Sequence, residues 1–356
     1  MSLQNSNGGG KHSGKSKMKK WQKVLLIILS VVIILTASAI ALVKTGKNSL
    51  LKSGKMDMNP GNEVINAVTD DDGKTVIYQG KKYKYNNNIT NILCVGVDKD
   101  TFNDKDTVQG KNGQADAVFL YSMDVKTGKA TVLAIPRDTM VDVDLYSAGG
   151  KYISSEKKQI CLAYAYGNNE KDSCKNTVKS ASRLMYGLPI NSYVAIDMKA
   201  IAPLASKVGG VPVTLTEDTV ISGKRYSSGT KLDLTGDAAI SFVQDRDHTS
   251  VDSSLDRLSR QKQFLQGFFN KTLNLTKKDI STPIKLFNSI SKNMVTDINV
   301  AEVSYLTTCL INGGRGGSLE FIKVAGEMKM GSRYAEYYAD QQKLYETVLD
   351  TYYICE

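Results

Sequence analysis

The sequence predicts an α/β protein: a three-layer α/β/α sandwich around a central mixed sheet, preceded by one transmembrane helix. Three observations carry this expectation. Short, almost unbroken apolar runs at 91–97, 117–123 and 131–136 suit strands covered on both faces. Stretches with helically spaced apolar residues come between these and further strand-like runs. Ahead of them, residues 24–43 contain neither a charge nor a proline.

From the N-terminus, residues 1–23 read as a disordered basic tail of Asn, Gly, Ser and Lys. The apolar segment 24–43 would rise about 30 Å as a helix, the thickness of a bilayer's hydrocarbon core. Lys11, Lys15, Lys17, Lys19, Lys20 and Lys23 precede it with no acid among them, which keeps the N-terminus cytoplasmic and sends the rest outward. Trp21 stands where an interfacial aromatic is expected. Ala37-Ser38-Ala39 resembles a signal-peptidase site, but the apolar run is longer than a signal core of about 7–15 residues, so an anchor is the stronger reading. Of the formal net charge of +10, six charges belong to the tail and +4 remains outside. The basic balance is therefore largely a topology signal and a weak argument for nucleic acid.

Residues 44–85 read as an extracytoplasmic spacer, ending in a hairpin of Thr75–Tyr78 and Lys82–Tyr85 around Gly80, and 86–356 as one catalytic domain. Within that domain the turn signal Asp124-Val125-Lys126-Thr127-Gly128-Lys129 makes 117–123 and 131–136 an antiparallel pair. YVAID (193–197) and VPVTL (211–215) look like further strands, whereas AISFV (239–243) fits either a strand or the end of a helix starting near Thr235. Helical spacing marks Asn176–Tyr186, then Lys199–Val208 closed by Gly209-Gly210, then Leu255–Leu275. More helices are expected from Ile284 to Asp350, ending in the amphipathic Gln341–Tyr352. The cysteines are Cys94, Cys161, Cys174, Cys309 and Cys355, with no CxxC pair; a Cys161–Cys174 bridge stays open.

The composition excludes several chemistries. His12 and His248 are the only histidines, and neither a GxSxG elbow nor a P-loop is present. External chemistry must rest on carboxylates, arginines and a hard cation. Asp98 follows the first strand and Asp116 directly precedes the second, so antiparallel pairing brings both to one sheet edge, where a cation such as Mg²⁺ relieves their repulsion. Arg137 and Asp138 leave the third strand through Pro136, which favours an extended exit. Arg246 follows the AISFV run, and Arg257, Arg260 and Gln261 share one face of the long helix. Arginines from three segments suit a phosphate or diphosphate, because guanidinium forks match its oxygens. The plain alternative is a set of surface ion pairs worth about 0–1 kcal/mol each.

The order of motifs narrows the choice. NILCVGVD, ADAVFLYSMDVKTGKATVLAIPRDT, AYAYGN, GLPINSYVAIDMKAI, VGGVPV, LTGDAAISFVQDRD and DRLSRQKQ follow one another behind the anchor, and the stretch 89–273 resembles the LytR-CpsA-Psr family. The resemblance implies an enzyme on the outer membrane face. It would transfer a phosphoglycosyl polymer from a polyprenyl-diphosphate carrier to peptidoglycan, with a deep apolar channel for the lipid. By the same match Asp98 and Asp116 would bind Mg²⁺, and Arg137 would hold the diphosphate. Arg246 matches the second arginine of an RxR pair, and Arg257 and Gln261 match the motif around the same headgroup, with Arg260 beside them. Three positions depart from the pattern: Gln244 replaces the first arginine of that pair, Gln159 a lysine and Ser254 an aspartate. The departures suggest a different glycopolymer, Asp138 or Asp252 as a substitute base, a weakened enzyme, or a non-catalytic scaffold or regulator that binds polyprenyl phosphates or wall glycans. An external binder of polyanions unrelated to lipid is a third reading.

Overall fold

The computed structural model describes residues 37–51, 67–70, 74–102, 110–147, 149–245, 253–313, 317 and 319–356. The chain divides into two units, 1–42 and 43–356. Of the first unit, residues 37–42 are described and are helical. Residues 24–36 of the predicted membrane span lie outside the described residues, and among the described residues no helix is long and apolar enough to cross a membrane. In the second unit, helix α1 (43–51) carries Leu50, which is fully buried, its carbonyl accepting from Asn191 Nδ2 at 3.2 Å.

A six-stranded mixed sheet organises this unit. Its strands are β4 (Ile89–Val97), β5 (Ala115–Asp124), β6 (Ala130–Ile135), β9 (Ser192–Asp197), β14 (Met294–Thr296) and β15 (Leu319–Lys323), in the order β14-β9-β4-β5-β6-β15. β5 runs antiparallel to β4 and β6, whereas β9 is parallel to β4 and β15 parallel to β6. The three apolar runs thus form the centre of the sheet, as their texture predicts. Alternation then divides the residues between two faces. Leu93, Val95, Leu120, Leu133 and Ile135 join the main core. There they meet Tyr164 of α2 (Cys161–Ala165), Ala181 and Leu184 of α3 (Glu170–Leu184), and Leu344, Val348 and Tyr352 of α9 (Gln341–Tyr352). On the other face Phe119, Val132 and Ala134 meet Leu258 of α6 (Ser253–Lys278), with Cys94, Ala117 and Leu265 packed beside them.

Several expectations are refined. AISFV is helical, within α5 (Gly236–Gln244), because Ala239, Phe242 and Val243 bury together at helical spacing against a satellite core. VPVTL forms a strand, β10 (Val211–Thr214), but it pairs with β13 (Lys231–Leu234) in a separate two-stranded sheet. The C-terminal region adds α7 (Thr282–Ser289) and α8 (Val300–Asn312), and also the β16–β17 hairpin (Gly326–Met330, Ala335–Ala339). The hairpin β2–β3 (Thr75–Tyr78, Lys81–Tyr85) forms as expected, and it belongs to a four-stranded sheet, β1-β2-β3-β18, with β1 (Ala67–Thr69) and β18 (Tyr353–Cys355). A second pair, β7 (Met140–Tyr146) and β8 (Tyr152–Gln159), lies against α3 through β7. All five cysteines are free thiols, so Cys161 and Cys174 are not bridged.

Candidate active site

The site forms where β4 ends and β5 begins. Their register shifts at Gly96/Val97, which pair with Ala117 and Ala115, so Asp116 is the extra residue of a bulge. A bulge re-aims a side chain that regular pairing would hold in the pleat. Asp116 therefore lies inside β5, one step further than its sequence position suggests, and its carboxylate points at two guanidinium groups. Arg137 Nη1 donates to Asp116 Oδ1, and Arg257 Nη1 donates to Oδ2 at 2.8 Å. Arg137 leaves β6 after Pro136, and Arg257 stands in the second turn of α6. Residues 116, 137 and 257 thus meet although they are far apart in the chain.

Arg137 has further partners besides Asp116. Its Nη2 donates to Gln114 Oε1 and to Cys161 Sγ, the latter at 3.4 Å, and its Nε stands 3.5 Å from Asp138 Oδ1. Burial disfavours its charge, but Cys161, Asp116 and Asp138 outweigh that and raise its pKa. Burial also raises the Cys161 thiol, to about 11, against the opposing pull of Arg137, so the thiol stays protonated at neutral pH.

Two cavities share this cluster. A polar cleft of about 680 Å³ is lined by Asp98, Lys111, Gln114, Asp116, Arg137, Gln244, Asp245 and Arg257. An apolar cavity of about 440 Å³ is walled by Ala117, Phe119, Val194, Ile196, Leu265 and Phe268 among others. Asp98, Asp116, Gln244 and Arg257 line both, so the arginine cluster sits at their junction.

The remaining predicted residues take different places. Gln261 lines the apolar cavity while its Nε2 donates to Val243 O at 3.2 Å. Arg260 lines neither cavity; its Nε and Nη2 donate to the carbonyls of Phe242 and Asp245, at the C-terminal end of α5 where a cation is favoured. Asp138 is buried behind Arg137, accepts from Gln159 Nε2 at 3.2 Å, and also lines neither cavity. Ser254 is buried at the start of α6. Arg246, Asp252 and His248 fall outside the described residues.

Sequence reasoning passed over the support for the cleft's edge. Lys99, next to Asp98, reaches Asn112 Oδ1 at 2.9 Å and Glu170 Oε1 at 2.5 Å, and Tyr164 OH donates to Glu170 Oε2 at 2.6 Å. Gly113, at φ +85°, lets the Lys99 stem cross it; a Cβ there would stand 2.8 Å from Lys99 Cγ. Asp98 N donates to Gln114 O at 3.0 Å, which joins the two carboxylate-bearing segments. A Lys–Glu pair of this kind leaves no periodic trace in a sequence; the one local signal available is the Gly at 113, which permits a close approach.

Among the described residues no group of three or more His, Cys, Asp or Glu side chains gathers to hold a metal. Two carboxylates at one cleft still fit Mg²⁺, which typically takes one or two of them and fills its shell with water and phosphate oxygens. Each Asp116 oxygen has a second lone pair beyond the one an arginine occupies.

Comparison with known proteins bears on this arrangement. The chain is 26% identical over 208 residues to the polyisoprenyl-teichoic acid–peptidoglycan teichoic acid transferase TagU of Enterococcus faecalis, covering 58% of this chain and 61% of that protein. The TagU of Oceanobacillus iheyensis is 25% identical over 292 residues, 82% of each chain. The match thus spans about three-fifths of the first relative's length and about four-fifths of the second's. The crystal structure of Bacillus subtilis TagV shares the fold with a TM-score of 0.56 at 23% identity, over 74% of this chain and 96% of that one. The model of the LytR_cpsA_psr family matches residues 56–351, a span that takes in both cavities, and the chain belongs to that family.

Proposed function

We propose that the protein transfers a phosphoglycosyl polymer from a polyprenyl-diphosphate carrier to peptidoglycan, assisted by Mg²⁺. The observation that carries this reading is the junction of the two cavities, where Arg137 and Arg257 meet on Asp116 at the rim of an apolar pocket. A lipid diphosphate needs both environments at once, an apolar wall for its chain and guanidinium forks for its headgroup. The relatives' names, polyisoprenyl-teichoic acid–peptidoglycan teichoic acid transferases, point to the same class of substrate and acceptor.

The reaction is a phosphoryl-group transfer. A hydroxyl of the acceptor glycan attacks the phosphorus that bears the sugar, and the bond from that phosphorus to the bridging oxygen breaks. Polyprenyl phosphate leaves, a phosphodiester forms, and the hydroxyl proton goes to solvent or a base. Negative charge grows on the bridging oxygen, so Arg137 and Arg257 contribute mostly by electrostatic stabilisation. Both are aimed before substrate arrives, Arg137 by Gln114, Cys161 and Asp138, and Arg257 by Asp116. Asp98 and Asp116 would hold Mg²⁺, whose charge would offset that of the diphosphate. Arg246 completes the headgroup set by its place in the motif. Residues 24–43 anchor the chain as a single span, N-terminus inside, so that the folded part works on the outer face of the cell membrane, where its lipid substrate resides.

The test is a reconstituted assay with full-length protein, a polyprenyl-diphosphate-linked glycan, peptidoglycan and Mg²⁺, following release of polyprenyl phosphate. Arg137→Ala should lower turnover by about a hundredfold or more, the loss typical for one preorganised charge donor. Wild-type turnover in that variant would remove Arg137 from the site. Gln244 in the cleft, where the resemblance expects an arginine, favours one second reading: a non-catalytic scaffold that binds the same lipid. Tight lipid binding without bond cleavage in the wild type would select it.

A further inference from the structure

Helix α3 carries a ladder of cations. Lys171, Lys175, Lys179 and Arg183 recur at every fourth residue. Residues four apart stand on one helix face. The opposite face is the buried one, with Ser173, Asn176, Thr177, Ser180, Ala181 and Leu184. Like charges at this spacing destabilise a helix. Lys171 also stands in the first turn, where the helix dipole disfavours a cation.

Only half of the ladder serves the fold. Lys179 and Arg183 approach the buried carboxylate of Asp144 at 2.5 and 2.6 Å, and two cations on one carboxylate leave a positive surplus. Lys175 is exposed, and the carboxylate it pairs with, Asp172, is 4.0 Å away. Lys171 is exposed and makes no ion pair among the described residues.

The ladder also begins beside the polar cleft. Glu170, at the start of α3, holds Lys99, the neighbour of Asp98. Ser173, in the first turn, accepts from Asn112 Nδ2 at 2.8 Å, and Asn112 adjoins Lys111, which lines the cleft. Each four-residue step rises about 6 Å. A polymer with a phosphodiester every six backbone bonds advances about 7 Å per repeat when extended, since three bonds of extended chain cover about 3.3–3.6 Å.

We infer that this face of α3 is a docking track for a phosphodiester-linked anionic polymer, the part of the glycopolymer that trails from the headgroup in the cleft. The inference rests on the transferase reading of the cleft, and its test is separate. The probe is lipid-free poly(glycerol phosphate), titrated against the full-length protein in nanodiscs of neutral phosphatidylcholine. Lys171→Glu with Lys175→Glu reverses the two lysines that hold no buried carboxylate; acids in a first turn are favoured by the dipole, so the helix is retained. Lys277→Glu with Lys278→Glu, exposed at the far end of α6, makes the same change in net charge elsewhere.

The α3 variant should lose affinity on the order of tenfold, and its log K against log salt should flatten by roughly 1–2. The α6 variant should stay near wild type. Equal losses in both variants, or none in either, would overturn the track. A parallel titration with phosphatidylglycerol vesicles separates the other anionic surface: if the α3 change weakens only vesicle binding, the face meets the membrane and the proposal fails. Failure of the cleft reading would show instead as undiminished turnover in Arg137→Ala.

Discussion

Asp116 accepts from two arginines at once, which sets its role apart from that of a surface ion pair. Alone, Arg137 and Arg257 would repel each other across the rim of the cleft; with the carboxylate between them they are held in a shape that phosphate oxygens can enter. Asp116 thus positions the arginines and, on the proposed reading, would also compete with a diphosphate for them. Asp116→Asn separates these effects. Charge-assisted hydrogen bonds contribute about 1.5–3 kcal/mol each, so the variant should be less stable without ligand. In Mg²⁺-free buffer it should nonetheless bind diphosphate at least as tightly as the wild type, because the competing charge is gone, and its turnover should lose its response to Mg²⁺. Calorimetric titration with a short-chain prenyl diphosphate, alongside turnover at graded Mg²⁺, checks both. A fall in diphosphate affinity with an intact Mg²⁺ response would assign Asp116 to scaffolding alone.

At the scale of elements, legibility followed burial. β4, β5 and β6 could be read from their apolar runs because both faces are covered, and Asp98 and Asp116 meet at one edge on the condition the sequence set, that β4 and β5 are antiparallel neighbours. The bulge at Gly96/Val97 could not, since an extra residue in a pairing register leaves the composition unchanged. β15, β16 and β17 were missed because their residues are mostly half-buried or exposed and carry charges, so they lack the pattern of a covered strand. The long helix was legible, yet three of its residues that share a face diverge in role. Arg257 reaches the cleft, Gln261 lines the apolar wall, and Arg260 caps α5. The contact that fastens α3 to β7 and β8 was equally silent in the sequence. Asp144, fully buried, accepts from Lys179, Arg183 and Ser155. Burial raises its pKa, but these three partners outweigh it and bring it to about 2, below the ordinary carboxylate value of 3.8. A depressed carboxylate stabilises the fold above its unfolded pKa, and the benefit disappears as pH falls through the folded value. The contribution, roughly 2 kcal/mol, should be complete above about pH 4 and gone below about pH 2. Urea midpoints of the wild type and Asp144→Asn should therefore differ at neutral pH and converge towards pH 2. A gap that persists in acid would mean that packing, not charge, holds the joint.

For the folded unit as a whole, the two faces of one sheet do different work. One face is sealed by α2, α3 and α9 and supplies the main core, with Leu93, Leu120, Leu133 and Ile135 almost free of solvent. The other is covered incompletely by α6, and the gap between them is the apolar cavity whose walls include Ala117, Phe119, Leu265 and Phe268. The sealed face supplies the rigidity on which a pocket can be kept open, because close-packed interiors transmit strain and deform little. Small residues line the sheet side near the cluster: Gly96 and Ala117 are cross-strand partners, and a Cβ on Gly96 would stand 3.1 Å from that of Ala117. Enlarging that wall tests the division of labour. Ala117→Phe projects a ring towards the cavity side of β5 and leaves the packed side untouched. If the cavity holds the lipid chain, each CH₂ denied burial removes about 0.8 kcal/mol of binding, so affinity for a long-chain polyprenyl diphosphate should fall by roughly a hundredfold or more for even four lost groups. Affinity for a diphosphate with a short chain, which needs only the arginine cluster, should change little. Thermal melting of the variant separates loss of fold from loss of room. An Ala117→Phe protein that melts near the wild type yet binds the long-chain ligand as well as before would show that the chain lies elsewhere, and that the apolar cavity is a packing defect instead of a lipid site.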